Sequence, residues 1–220
     1  MEDTISFFSG FTANDLRFLG EAALRTLLIS ALSISIGTVL GVVFGWLLFE
    51  GRLIATLTLA PVLDVFRSVP LIIQLVLFYN VAPIMGLNLD PFASGVVILT
   101  IYTAALVASV ARGGFEAVGQ PMRRAARSLG MTYFQDIRHV VLPIGGRAVF
   151  PSWIGVALGV MKDSALVSVL GYVELLRASQ ILITRTQQPF VVLAVAGAFY
   201  FALSYPVSRY AARLEQRWAQ

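Results

Sequence analysis

The chain has 220 residues, 58% of them hydrophobic and 13% charged, with a net charge of +4 and a mean hydropathy of +0.82; this balance excludes an ordinary soluble domain and points to a bilayer. With no cysteine and one histidine there is no disulfide, no thiolate or histidine-rich metal centre and no arguable catalytic triad. The basic residues flank apolar runs and are not interleaved with aromatics, so the expected contact is membrane lipid and no nucleic acid.

In chain order, residues 5–19, ISFFSGFTANDLRFL, read either as a short amphipathic helix on the membrane surface or as a linker. Glu2, Asp3, Asp15 and Glu21 against Arg17 leave no positive n-region. The apolar stretch that follows is too long for a signal core, so it is expected to stay as the first span. Uncharged stretches at 26–49, 68–89, 91–111 and 186–208 run for 24, 22, 21 and 23 residues. Each suffices to cross a bilayer as a helix. A fifth, 148–173, is interrupted only by Lys162-Asp163. The expected fold is an all-α integral membrane protein with five transmembrane helices. No strand alternation, repeat or linker divides the chain, so 1–220 is taken as one domain.

Five spans put the termini on opposite sides. The 112–147 loop holds six arginines, Arg52 and Arg67 precede it, and Arg209, Arg213 and Arg217 lie in the tail, eleven on one side. The other side has Arg17, Arg177 and Arg185, with Arg25 near a boundary. The positive-inside rule then places the N-terminus outside, and the loop and C-terminus in the cytoplasm.

Within that loop, RRAARSLGMTYFQDIRHVVLP (123–143) is the one sizeable polar excursion. Met122–Leu129 are good helix formers, and Gly130 suits a left-handed helix end. Thr132 with Gln135 forms a capping-box pattern that opens a second helix through Leu142, and Pro143 stops that helix or begins the next. Two readings stand on physics alone: a surface helix whose arginines meet headgroups, or a docking element with two alanines that admit a close partner. His139 reads as a surface or interface residue.

Three segments carry a family resemblance. Ala125-Ala126, Gly130 and Leu142-Pro143 resemble the EAA loop of bacterial ABC-importer permeases in their spacing. VFRSVPLIIQL (65–75) and MKDSALVSVLGYVELLRASQ (161–180) are similar to motifs of the polar amino-acid branch of that family. The resemblance runs from about residue 20 to the end and implies the type I ABC importer permease fold in the bacterial cytoplasmic (inner) membrane. It implies partners as well: two ATPase subunits, a second permease copy or paralogue, an extracytoplasmic solute-binding protein and an amino-acid substrate. ATP and magnesium belong to the ATPase, because this chain has no phosphate-binding loop. By itself the chain is expected to be no enzyme.

The same resemblance assigns coupling to Arg123, Arg124, Ala125, Ala126, Gly130 and Phe134. It departs from the family where Arg124 and Ser109 stand in place of glutamates. For the substrate path the expected residues are Lys162, Asp163, Ser164, Gln74 and Arg67, since charges inside a bilayer face a cavity or a partner; Lys162 and Asp163 read equally as structural residues, each paired separately with backbone carbonyls or other spans. Lys162 and Asp163 lie about 100° apart on a helix, so they do not simply neutralise each other. Arg67 reads equally as a cytoplasmic anchor. The alternatives are a permease for another small zwitterion, ectoine- or opine-like, and a non-ABC membrane scaffold or channel.

Overall fold

A computed structural model describes residues 10–218, and among them every regular element is helical. Helix α1 spans Ala13–Glu50, α2 Arg52–Ser68, α3 Leu71–Val81 and α4 Pro91–Ala117. A loop helix α5 (Gln120–Ser128) and a short α6 (Tyr133–Asp136) precede α7 (Leu142–Asp163), α8 (Leu175–Thr186) and α9 (Pro189–Trp218). Among the described residues four helices are long and apolar enough to cross a membrane, or five spans if the bent pair α2–α3 counts as one.

The α1–α4 pair forms the spine of the fold. Its packing is inverted relative to a soluble helix pair: α1 turns Leu24, Leu28, Val39 and Val43 outward and buries Thr26, Ser30, Ser33, Gly37, Gly41 and Gly45. In lipid the bulky face needs no protein cover, whereas a row of small residues lets two backbones approach and gain van der Waals contact. A Cβ added at Gly41 would lie 2.6 Å from Val107 Cβ, and one at Gly37 would lie 2.6 Å from Thr103 Cβ. Gly145 of α7 lies so near the Gly114 carbonyl of α4 that it has no room for a side chain.

Several expected boundaries are corrected. The 68–89 span is not one helix starting at Ser68. The chain bends by 105° between α2 and α3, because Val69 is extended ahead of Pro70, the backbone that a proline imposes on its predecessor. The expected amphipathic helix at 5–19 falls partly outside the described residues; its remainder, from Ala13, is simply the first turns of α1, with Leu19 fully buried. Pro143 takes the second of its two expected roles and lies in the first turn of α7. A π turn at Ile137–Val141 joins α6 to α7, so one continuous helical run covers 133–170. Widening the turn frees the backbone position that the proline ring would otherwise crowd. The last span starts at Pro189, after a separate α8 closed by Gln187 at φ 54°.

Glu174 ties the far end of the bundle together. Fully buried at the N-cap of α8, it accepts hydrogen bonds from the Leu176 and Arg177 backbone N–H groups. It also accepts from Thr26 of α1 and Tyr200 of α9. Burial, the largest influence, pushes this carboxyl above the usual carboxylate range, against the pull of those donors.

Candidate functional site

At the other end, α5 is set by its termini. Pro121 sits in its first turn, and Gly130 just beyond its end adopts φ +87°, a conformation that costs a glycine little. Thr132 then opens α6 with the expected box: its N–H donates to Gln135 Oε1 at 2.8 Å, and its hydroxyl accepts from the Gln135 N–H. This fixes the direction of the chain as it returns towards the membrane.

The coupling residues named from sequence divide between two faces of α5. Arg124, Ala125 and Gly130 are exposed, together with Met122 and with Leu129 at 83%. Phe134 on α6 is 79% exposed. Arg123 and Ala126 turn inward, at 5% and 6%. The outward face thus combines bare apolar side chains and an arginine with no ion-pair partner among the described residues, on a segment outside the apolar spans. Leu129 and Phe134 gain nothing from water there, and a patch of this kind marks a contact surface.

Arg123 is instead a buried anchor. Its Nε donates to Asp136 Oδ2 at 2.9 Å, its Nη2 stands 3.8 Å from Glu50, and its guanidinium lies 5.3 Å above the Phe49 ring. Tyr133 donates to Glu50 at 2.7 Å and accepts from the Trp46 indole N–H at 3.1 Å. Sequence reasoning missed Asp136, Glu50 and Phe49. A signal was present: Asp136 is the single acid between Glu116 and Asp163, in a loop rich in arginine.

The substrate-path residues are not joined by any hydrogen bond. Gln74 is buried and donates from Nε2 to the Phe66 and Val69 carbonyls, at 2.8 and 2.7 Å, where the α2–α3 bend leaves them free. It forms part of the wall of an apolar recess of 410 Å³, with Phe66, Phe78 and Ile101. Ser164 is fully buried, accepting from Ser30 and donating to the Met161 carbonyl. Arg67 is exposed and pairs with Asp64 at 3.4 Å. Lys162 is exposed and Asp163 half-buried, and no ion pair holds either among the described residues. The elements themselves do meet, since α3 packs on the 3₁₀ turn Ser164–Leu170 that follows Asp163. Among the described residues no group of carboxylates and histidines is placed to hold a metal.

Residues 12–220 match the family described as binding-protein-dependent transport system inner membrane component. The chain is 30% identical to the glutamine transport system permease protein GlnP of Escherichia coli (strain K12), covering 90% of this chain and 91% of that one. It is 26% identical to the probable glutamine ABC transporter permease protein GlnP of Bacillus subtilis (strain 168), over 97% and 99% of the two chains. Among solved structures it is similar to an amino acid ABC transporter crystallised with histidines, with a TM-score of 0.82 and 30% identity over 91% of this chain and 94% of that one. An inward-facing methionine ABC transporter shares the fold, with a TM-score of 0.77 at 23% identity over 94% and 99% of the chains.

Proposed function

This chain belongs to the family of binding-protein-dependent transport system inner membrane components, and we propose that it is the permease subunit of an ATP-driven importer of glutamine or a closely related polar amino acid. The carrying observation is the length of the match to the E. coli glutamine permease, 30% identity across 90% of the chain. The solved amino acid transporter with the same fold supports the same substrate class.

In this reading α5 is the coupling helix. A partner ATPase docks on the outward face, where Arg124, Ala125, Leu129 and Phe134 are exposed. Closure of two such ATPases on ATP pushes α5, and the push reaches the spans. ATP and magnesium stay with the ATPase, and this chain contributes motion and a path. A second permease, a copy or a paralogue, completes that path, and an extracytoplasmic binding protein loads it. Assembly is in the bacterial inner membrane, with the N-terminus outside and α5 in the cytoplasm, as the basic-residue bias requires.

Lys162 and Asp163 line the path. Both lie at the end of α7, and neither is held by an ion pair among the described residues. An amino acid offers a carboxylate for one and an ammonium for the other, which rewards leaving a lysine and an aspartate unpaired near the bilayer. Packing of α3 on the following 3₁₀ turn supports counting Gln74 and Ser164 in the same path.

The test is uptake of radiolabelled glutamine into proteoliposomes that hold this chain, its ATPase and its binding protein. Accumulation that requires ATP on the ATPase side and is competed by unlabelled glutamine supports the assignment. Accumulation competed by ectoine but not by any amino acid moves the substrate to another zwitterion.

A further inference from the structure

The backbone of α5 packs on α6 and the π turn that follows it, whereas the motion it is to transmit must enter the long spans. Side chains bridge that distance. Arg123 reaches from α5 to Asp136 of α6 and onward to Phe49 and Glu50 at the end of α1. Phe49 in turn stacks on Phe115 of α4, with ring centroids 5.6 Å apart. A single guanidinium therefore touches the docking helix's neighbour and the end of the α1–α4 spine.

The energetics are those of a specific tie and not of a packing filler. A buried arginine–carboxylate pair is often no more stable than apolar side chains of the same volume. Here the pair is also incompletely satisfied, since Arg123 Nη2 and Asp136 Oδ1 are buried without hydrogen-bond partners. What it supplies is directionality: a charge-assisted bond to Asp136 and a cation over an aromatic face fix the guanidinium in orientation as well as distance. Tyr133, bonded to Glu50 and Trp46, braces the same end of α1.

We propose that Arg123 is a positioning residue that makes α5 and the cytoplasmic end of α1 move as one body, so that displacement of the docking helix is delivered to the α1–α4 spine. This rests on the reading of α5 as the coupling helix, and it assigns the transmitting contact within the chain.

The test places spin labels at Ser128→Cys on α5 and Leu47→Cys on α1, both exposed, in a chain with no cysteine of its own. With the partner ATPase in lipid, the inter-label distance should hold its mean when ATP and vanadate are added. In the Arg123→Met/Asp136→Leu double variant, which strands no buried charge, the distance should shift or broaden on nucleotide. Glutamine uptake per ATP hydrolysed should fall about tenfold, and Arg123→Lys, which keeps a cation on a long stem, should recover about half of that loss. Should the double variant fail to fold, Phe49→Leu removes the aromatic face alone and is expected to cut uptake per ATP about threefold. A double variant whose label distance stays fixed, or a Phe49→Leu variant with full uptake per ATP, overturns the assignment. A parent complex that hydrolyses ATP without importing glutamine contradicts the functional reading instead, and the label distance still decides whether Arg123 is the tie.

Discussion

Ala125 and Ala126, neighbours in sequence and about 100° apart around α5, differ in exposure: Ala125 is open to solvent and Ala126 is packed inside the chain at 6% exposure. The closely spaced pair expected to meet a partner is thus one exposed residue and one internal packing residue. Because the protein has no cysteine, each position can be tested alone. Ala125→Cys should cross-link to the ATPase with a short bifunctional reagent, and Ala126→Cys should stay unlinked. Cross-linking at Ala126 with none at Ala125 would reverse the assignment of the two faces.

The glycine stripe of α1 gives a stability prediction. Gly41→Ala would drive its Cβ to within 2.6 Å of Val107 Cβ and 2.9 Å of the Ala104 carbonyl, an overpacking cost of about 1–3 kcal/mol. Gly155→Ala on α7 meets nothing within 4 Å and should leave stability unchanged or slightly raised. Thermal unfolding in detergent by intrinsic fluorescence measures the pair. Equal melting temperatures for the two variants would contradict close packing of α1 on α4.

For the substrate path, Asp163→Asn and Lys162→Met each remove a charge with little change in volume. Neither residue is ion-paired among the described residues, so expression should persist while glutamine uptake falls at least about tenfold, one decade per 1.4 kcal/mol of lost contact. Binding of the ATPase should survive in both. Transport at the parent rate in both variants would move the path elsewhere.

Topology follows from the arginine distribution. A cysteine at Gly10 should react with a membrane-impermeant maleimide on intact cells, and one at Gln120 only after permeabilisation. Reaction of both from the same side would contradict an odd number of crossings.

What was legible from sequence was local chemistry. Gly130 adopts the left-handed backbone expected of it, and Thr132 and Gln135 form the expected box. The third span is visible because charges bracket Pro91–Ala111, although α4 continues to Ala117. What was not legible depends on how turns connect. Pro143 begins α7, one of its two expected roles, but nothing in the sequence marks the π turn that joins α6 to it without a break. At Val69-Pro70 the chain breaks where a proline interrupts the run, as its chemistry allows, but the 105° angle of the bend is not written in the sequence. Arg123 shows why the site was only half visible. An arginine beside an alanine pair reads as surface charge until a carboxylate thirteen residues away is brought to 2.9 Å.

The most direct test of the whole account measures glutamine uptake and ATP hydrolysis together, in proteoliposomes holding either the parent chain or Ala125→Trp. The parent should import glutamine only with ATP on the ATPase side. Ala125→Trp, folded and inserted but too bulky for close docking, should lower uptake about tenfold or more, a coupling loss of at least 1.4 kcal/mol. Uptake that ignores Ala125→Trp, or that proceeds without ATP, would contradict a permease driven through α5.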